Sequence, residues 1–183
     1  MRQRLLLLML AILIPAGIYG FNYLNLERPF QQILESKPQY QGIEIHAYYY
    51  NFITPSKLVI DVMHVENASS LDVFSTLIDF AKKNESKHYQ QVILAYKGSA
   101  KFIVAGDAFS ELSADHGKDL FPVMQSFLKQ VQDLHGVQPF SIDASHSISD
   151  LAAEFQRFHE QWYASEPGNH LKPFDQAAAR GVM

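Results

Sequence analysis

Histidines and acidic residues are the side chains of this chain that could bind a metal ion or transfer a proton, and it has 8 histidines and 19 acids. Cysteine is absent, which excludes thiolate zinc sites, a cysteine nucleophile and disulfides. Asp61 and His64 are three residues apart on a predicted strand, a spacing that sends side chains to opposite faces. His159 and Glu160 resemble the start of a zinc protease signature, but Tyr163 stands where the second histidine belongs. We therefore interpret His159 and Glu160 as a solvent-facing pair and predict no metal and no cofactor.

Hydrolase chemistry has one local and one distributed candidate. Asp143 and His146, with Ser141, Ser145 and Ser147 close by, are the side-chain types of a serine hydrolase within one loop. Members of a triad usually come from separated segments, and the sequence has no Gly-x-Ser-x-Gly elbow, so we favour helix capping for these residues. The distributed alternative is an extracytoplasmic metal-assisted hydrolase that draws histidines and acids together from separated segments, with four candidate histidines: His46, His64, His116 and His146.

The strand predicted after Gly42 offers a surface for binding. Apolar and polar residues alternate along it with the period of two that is typical of a half-exposed strand. His46, Tyr48 and Tyr50 fall together on the polar face. Aromatic residues on an open sheet face can bind a partner or a ligand, so these three are the candidate binding residues. In the alternative interpretation, a helix from the C-terminal region covers them and they belong to the core.

Charge and composition exclude two classes of protein. The formal net charge is −4, with 15 basic against 19 acidic residues. A nucleic-acid binder needs a basic face that releases counterions from phosphate, and no basic cluster is visible in the sequence. Because 48% of the residues are hydrophobic, a wholly disordered chain is also excluded. We predict no nucleic-acid partner.

An apolar segment opens the chain. After a basic start, residues 5–21 form an almost unbroken apolar run, about the shortest that crosses a bilayer as a helix. The basic start predicts that the N-terminus lies inside and the remainder outside. No position has small residues at both −1 and −3 of a cleavage site, and Tyr19, Phe21 and Tyr23 resemble an interfacial aromatic belt, so we favour an anchor over a cleaved signal peptide. We expect a single-pass inner-membrane protein with its domain in the periplasm, or a secreted protein if the leader is cleaved.

The order of the remaining elements predicts an α+β fold. Periodicity and turn signals give β-β-α-β-β-α-α, with a central hairpin around Lys97-Gly98-Ser99. Because no helix alternates regularly with single strands, we expect a four-stranded, mainly antiparallel sheet with helices on one face, preceded by an N-terminal hydrophobic helix. The predicted parts are the leader (1–22), a stalk with a short helix (23–41), the domain (42–164) and a loose tail (165–183).

Capping patterns predict the starts of two helices. Ser69 or Ser70 with Asp72 forms one capping pair, and Ser147 with Asp150 forms the other. An apolar pattern over residues 119–134 predicts a further helix, with a partly extended segment as the alternative.

Several short motifs lie along residues 57–163: Lys97-Gly98, Lys101-Phe102, Gly106-Asp107, Phe109, Leu112, Gly117, Phe155, Phe158-His159 and Trp162-Tyr163. Together they resemble a family of uncharacterised bacterial envelope proteins with a single leader segment. The resemblance implies an extracytoplasmic domain and brings no activity and no site residue. Because none of the catalytic motifs considered above is complete, we predict a non-enzymatic binding or assembly module, held at the membrane by its N-terminal segment and having a protein partner in the envelope. Whether the protein is an enzyme stays open.

Overall fold

The computed structural model describes residues 2–114, 119–142, 147–165 and 169–172. The helices of this part are α1 (Arg2–Asn22), α2 (Arg28–Ser36), α3 (Ser70–Lys83), α4 (Gly106–Ala114), α5 (Leu120–Gln130) and α6 (Ile148–His159). Its strands are β1 (Ile43–Tyr50), β2 (Thr54–Ser69), β3 (Gln91–Tyr96), β4 (Ser99–Ala105), β5 (Val131–Gln132) and β6 (His170–Lys172). Single π-helical turns follow α1 (Tyr23–Glu27) and α6 (Glu160–Ala164), and a 3₁₀ turn covers Pro38–Tyr40.

The sheet confirms the α+β class and corrects its details. The strand order is β1-β2-β3-β4-β5, and β6 pairs with the far end of β2. The β1–β2, β3–β4 and β4–β5 pairs are antiparallel, whereas β2 is parallel to both β3 and β6. The predicted number of four strands is therefore wrong, because the sheet has two more, and the sheet is mixed. Helix α3 returns the chain to the start of β2, which makes β3 parallel to it, and β5 and β6 are too short to show a sequence period.

The long strand β2 pairs with β3 and with β6 along different parts of its length. Its first half pairs with β3 and its last residues pair with β6. The buried Asn169 stabilises this second pairing, because its side chain accepts a hydrogen bond from Val65 N at 2.9 Å and donates one to Tyr163 O at 2.7 Å. Part of the segment predicted as a loose tail thus forms a strand at His170–Lys172.

The two faces of the sheet are packed differently. One face carries the main hydrophobic core, which includes Trp162 and the aromatic residues of α3, α5 and α6. The opposite face has a small cluster of Val59, Ile93 and Ala95, against which Tyr48 packs. Residues of β1 alternate between these faces in the order that the sequence predicts, with Tyr49 buried in the main core and Tyr48 half-buried on the other side.

Local signals located several boundaries correctly. Capping boxes at Ser69 and Ser147 begin α3 and α6. Lys97 and Gly98 both have positive φ, as a two-residue hairpin turn requires. The pattern over 119–134 is helical only to Gln130, after which β5 is extended.

Helix α1 occupies the segment for which the sequence predicts an anchor. Side chains of residues 1–8 and 10 lie outside the described part. In the part that the structure describes, no helix reaches the length and apolar character needed to cross a membrane.

Candidate functional site

The N-terminal helical segment lies along the free edge of β1. Edge strands expose unpaired backbone groups, which proteins usually cover. Here three side chains of the helical segment bond to the edge: Asn22 Oδ1 accepts from Tyr49 N at 2.8 Å, Glu27 Oε2 accepts from Ala47 N at 2.9 Å, and Gln31 Nε2 donates to Ile45 O at 2.9 Å. The helical segment is therefore fixed to the sheet without being a strand.

A π-helical turn lets the side chains of the helical segment match the residue spacing of β1. Alternate residues of a strand are about 6.8 Å apart, so the three helical side chains must recur at similar distances on one face. Five residues separate Asn22 from Glu27, a spacing that an ordinary α-helix would rotate by about 140° away from the strand. The π-helical turn at Tyr23–Glu27 widens this part of the helix, so both side chains reach the same edge. Gln31 follows after the normal four residues.

A groove of about 450 Å³ lies between this helical segment and the first two strands. The residues that line it come from α1, the π-helical turn, β1, the β1–β2 turn and β2: Tyr19, Asn22, Tyr23, Glu27, His46, Ala47, Tyr48, Phe52, Asp61 and Met63. We call it the hairpin groove.

Two pairs of stacked aromatic rings contribute to the hairpin groove. The helical pair is Tyr19 and Tyr23, with ring centroids 6.4 Å apart and planes at 16°. The hairpin pair is Tyr48 and Phe52, with centroids 5.0 Å apart and planes at 12°. The groove is thus bordered by aromatic surface from two different elements.

Phe52, beside the groove, has a strained backbone conformation. Its φ of +62° is rare for a bulky residue and costs about 1–3 kcal/mol. Its N–H donates to Tyr49 O and its carbonyl accepts from Asn22 Nδ2, both at 2.7 Å. These bonds and the stacking on Tyr48 keep an otherwise exposed ring at the groove.

Asp61 is the buried acid of the hairpin groove, with only 4% of its surface exposed. Its carboxylate accepts a hydrogen bond from the Tyr48 hydroxyl at 3.0 Å and from the N–H of Gly98 at 2.9 Å. Burial and the nearby Asp61 charge raise the pKa of Tyr48 well above its usual value. The phenol therefore stays protonated and donates to Asp61 over the whole physiological range.

Glu27 and His46 form a second polar pair. Glu27 Oε1 lies 2.6 Å from His46 Nδ1 and accepts a further bond from Gln31 Nε2 at 3.0 Å. Both carboxylate oxygens are engaged, because Oε2 binds Ala47 N. The other ring nitrogen of His46 lies 3.7 Å from Glu44. This histidine is thus held between two acids while its side chain remains 42% exposed.

The three candidate binding residues separate into two groups. His46 and Tyr48 line the hairpin groove. Tyr50 lies at the end of β1, where Lys57 Nζ is 5.7 Å from the centre of its ring, and is not among the lining residues. A binding role for these residues stays a prediction. Among the residues that the structure describes, the element that partly covers His46 and Tyr48 is the N-terminal helical segment and not a C-terminal helix.

Sequence reasoning missed Glu27, Asp61 and Phe52. The stalk prediction gave Glu27 no partner, and a phenylalanine in a turn carries no signal for positive φ. Asp61 was considered only with His64, on opposite faces of a strand. That placement is wrong, because a bulge at Met63 shifts the register of β2. Asp61 therefore pairs with His46 and His64 pairs with Glu44, and these two residues of β1 lie on the same face of the sheet.

His159 is not a solvent-facing residue, contrary to the prediction. It is fully buried, and its Nδ1 lies 2.8 Å from the Tyr163 hydroxyl. Its position follows from helical spacing, since it lies between Phe158 and Trp162 on the buried stripe of the last helix. Burial lowers the pKa of His159 to about 3, so the ring is neutral at physiological pH.

Within the described ranges, no group of three or more histidine, aspartate or glutamate side chains could hold a metal ion. His64 is half-buried and lies 3.7 Å from Glu66. Asp143, Ser145, His146 and His116, on which the two hydrolase hypotheses draw, fall outside the described residues.

Comparison of the chain with models of protein families, with curated proteins and with solved structures gave no match in any of the three.

Proposed function

We propose that this protein is a non-enzymatic binding module and that its ligand site is the hairpin groove. The observation that carries the proposal is the association of two aromatic pairs with a buried carboxylate in one cavity of about 450 Å³. This volume is within the usual range for small-molecule sites, which combine apolar walls with a few placed polar groups.

The walls of the groove are fixed before any ligand arrives, which favours binding. Asn22 bonds to both β1 and the β1–β2 turn, and it is buried. Phe52 keeps a strained backbone beside the groove, and such strain is commonly found at ligand-binding positions. Binding to a preformed site avoids part of the entropy cost of ordering side chains.

A binding role also fits the chemistry of the polar groups. Glu27 uses both carboxylate oxygens for structural hydrogen bonds, and Asp61 accepts from a phenol and a backbone amide. These acids hold the groove in shape and give it negative charge. We assign neither of them a proton-transfer step.

The location of the module is proposed from the sequence alone. The basic start and the apolar run of residues 5–21 support a membrane anchor with the domain outside the cytoplasm, and a protein partner in the envelope remains part of this proposal. Protease added to intact spheroplasts should digest the domain, and full protection would refute the topology. A mature N-terminus after residue 16 would replace the anchor by a cleaved leader.

Ligand binding is tested by amide NMR on the full chain in detergent micelles. A set of neutral, cationic and anionic fragments is titrated, and we expect at least one class to shift the amide signals of Tyr48 and Phe52. Phe52→Gly should abolish these shifts, because it removes one ring from the groove. Tyr50→Ala is the matched control, since Tyr50 lies outside the lining and should leave the shifts unchanged. If no class shifts these amides, the proposed function is wrong.

A further inference from the structure

We infer that the ligand of the hairpin groove is an organic cation, an ammonium group carried on a small apolar body. This inference rests on the proposed function and adds the chemical class of the ligand.

The charge of the groove favours a cation. Glu27 and Asp61 are both among the described lining residues, and these include neither lysine nor arginine. The one lining side chain able to carry positive charge is His46, which is already paired with Glu27. Asp61 accepts hydrogen bonds from neutral groups and has no lysine or arginine partner among the described residues. A nearly buried carboxylate without a cationic partner is costly, and a bound cation would supply that partner.

The aromatic rings favour an ammonium group over a hydrated metal ion. Tyr19, Tyr23, Tyr48 and Phe52 contribute four aromatic rings to the lining of one cavity. Cations on organic groups are attracted to the faces of such rings through the ring quadrupole. An apolar body attached to the cation would gain further from burial against the same rings.

The size of the groove indicates a ligand larger than its charged group. A cavity of about 450 Å³ is considerably larger than one trimethylammonium group. The ligand should therefore extend beyond its charged end, toward the exposed rings of Tyr19 and Tyr23.

The probe for the test is choline, compared with 3,3-dimethylbutan-1-ol, its neutral analogue of the same shape. Titrations use the full chain in micelles and follow the amides of Phe52 and Gly98. We expect choline to bind about tenfold more tightly than the alcohol, which corresponds to about 1.4 kcal/mol. The affinity for choline should fall as ionic strength rises, because part of the attraction is electrostatic.

The decisive variant is Asp61→Asn, which keeps the shape and the acceptor oxygen but removes the charge. The ratio of the affinity for choline to the affinity for the alcohol should fall about tenfold, which separates loss of the charge from any general change in the groove. Tyr23→Leu is a second variant at an exposed helical position where folding is not at risk. It should weaken choline binding several-fold, because leucine keeps apolar bulk without a ring face.

Two results would overturn the inference and leave the proposed function standing, and a third would overturn both. Equal affinities for choline and the alcohol would show that the groove binds apolar ligands without selecting for charge. The proposed binding function would then stand, and the inference of a cationic ligand would be wrong. Failure of choline to bind, with shifts from neutral or anionic fragments, has the same meaning. If no compound of any class binds, the proposed function fails as well.

Discussion

The hairpin groove and the last helix both surround a titratable side chain with aromatic rings, but only one of them is open to solvent. In the last helix His159 lies among Phe155, Phe158 and Trp162, and all four are completely buried. In the groove Asp61 lies beside Tyr48 and Phe52, and the rings keep part of their surface exposed.

The hydrogen bonds available to His159 and to Asp61 differ. His159 has one ring nitrogen hydrogen-bonded to Tyr163 and one without a partner among the described residues. Because a buried charge without a partner is costly, the ring stays neutral. Asp61 is supplied with a phenol and a backbone N–H. Aromatic residues around a polar group therefore do not identify a site by themselves. Access and the supply of hydrogen bonds distinguish a binding surface from a core.

The largest expected contrast is between Trp162→Ala and Phe52→Gly. Removing Trp162 should lower the free energy of unfolding by about 3–5 kcal/mol, because it leaves a cavity and takes away the donor to Ala95 O, which lies 2.8 Å from Trp162 Nε1. Phe52→Gly should change it by less than about 1 kcal/mol, since lost stacking is offset by relief of the positive φ. Urea denaturation followed by circular dichroism measures both. Equal losses would mean that the groove is simply another part of the core.

The second prediction concerns pH. Because the pKa of His159 is lowered to about 3 in the folded protein, against about 6.5 when unfolded, the unfolded chain binds a proton that the folded chain excludes. The free energy of unfolding should therefore fall as pH drops from about 6.5 toward 3, by about 1.4 kcal/mol per pH unit at most from this residue. His159→Phe should flatten that slope.

His88→Gln is the matched control for the pH experiment, because His88 is exposed. It should retain the slope of the natural protein. If the slope survives in His159→Phe, another group is responsible for it.

The sequence predicts the last helix better than the groove, and the reason is the range of the interactions. The helix is encoded by neighbours: Ser147 and Asp150 cap it, and Phe155 to Trp162 give its stripe at helical spacing. Even the error at His159 could have been avoided from that spacing. The α3 start and the Lys97-Gly98 turn are local in the same way.

The groove depends on contacts between distant segments. Glu27 meets His46 across 19 residues and Asp61 meets Gly98 across 37. Such pairings depend on sheet order and on two local irregularities, the π-helical turn and the bulge at Met63, which leave no clear pattern in one sequence. Alternation in β1 was enough to put His46 and Tyr48 on the open face. It could not say which element would lie over them.

The third prediction tests whether the helical segment is a fixed wall of the groove. Asn22→Ala should cost about 1–3 kcal/mol, because Tyr49 N loses its partner in a buried place and Phe52 O loses its partner in a partly buried one. Asn25→Ala is the control, since its amide donates only to Phe21 O within the helical segment and is exposed. It should cost less than about 0.5 kcal/mol. Similar values for the two variants would mean that the helical segment contributes little to the fold, and the groove would lose one wall.

The smallest expected effect comes from Asn51→Gly, next to Phe52 in the same turn. Asn51 has a φ of +50°, which asparagine tolerates and glycine adopts freely, so the substitution should change the free energy of unfolding by less than about 0.5 kcal/mol. It leaves all groove side chains in place, and choline affinity should stay within twofold of the natural protein. Calorimetric titration measures the affinity, and urea denaturation measures the stability. A large loss of affinity here would mean that the backbone of the turn, rather than the ring of Phe52, determines binding, and would remove the reason for assigning that strained residue to the site.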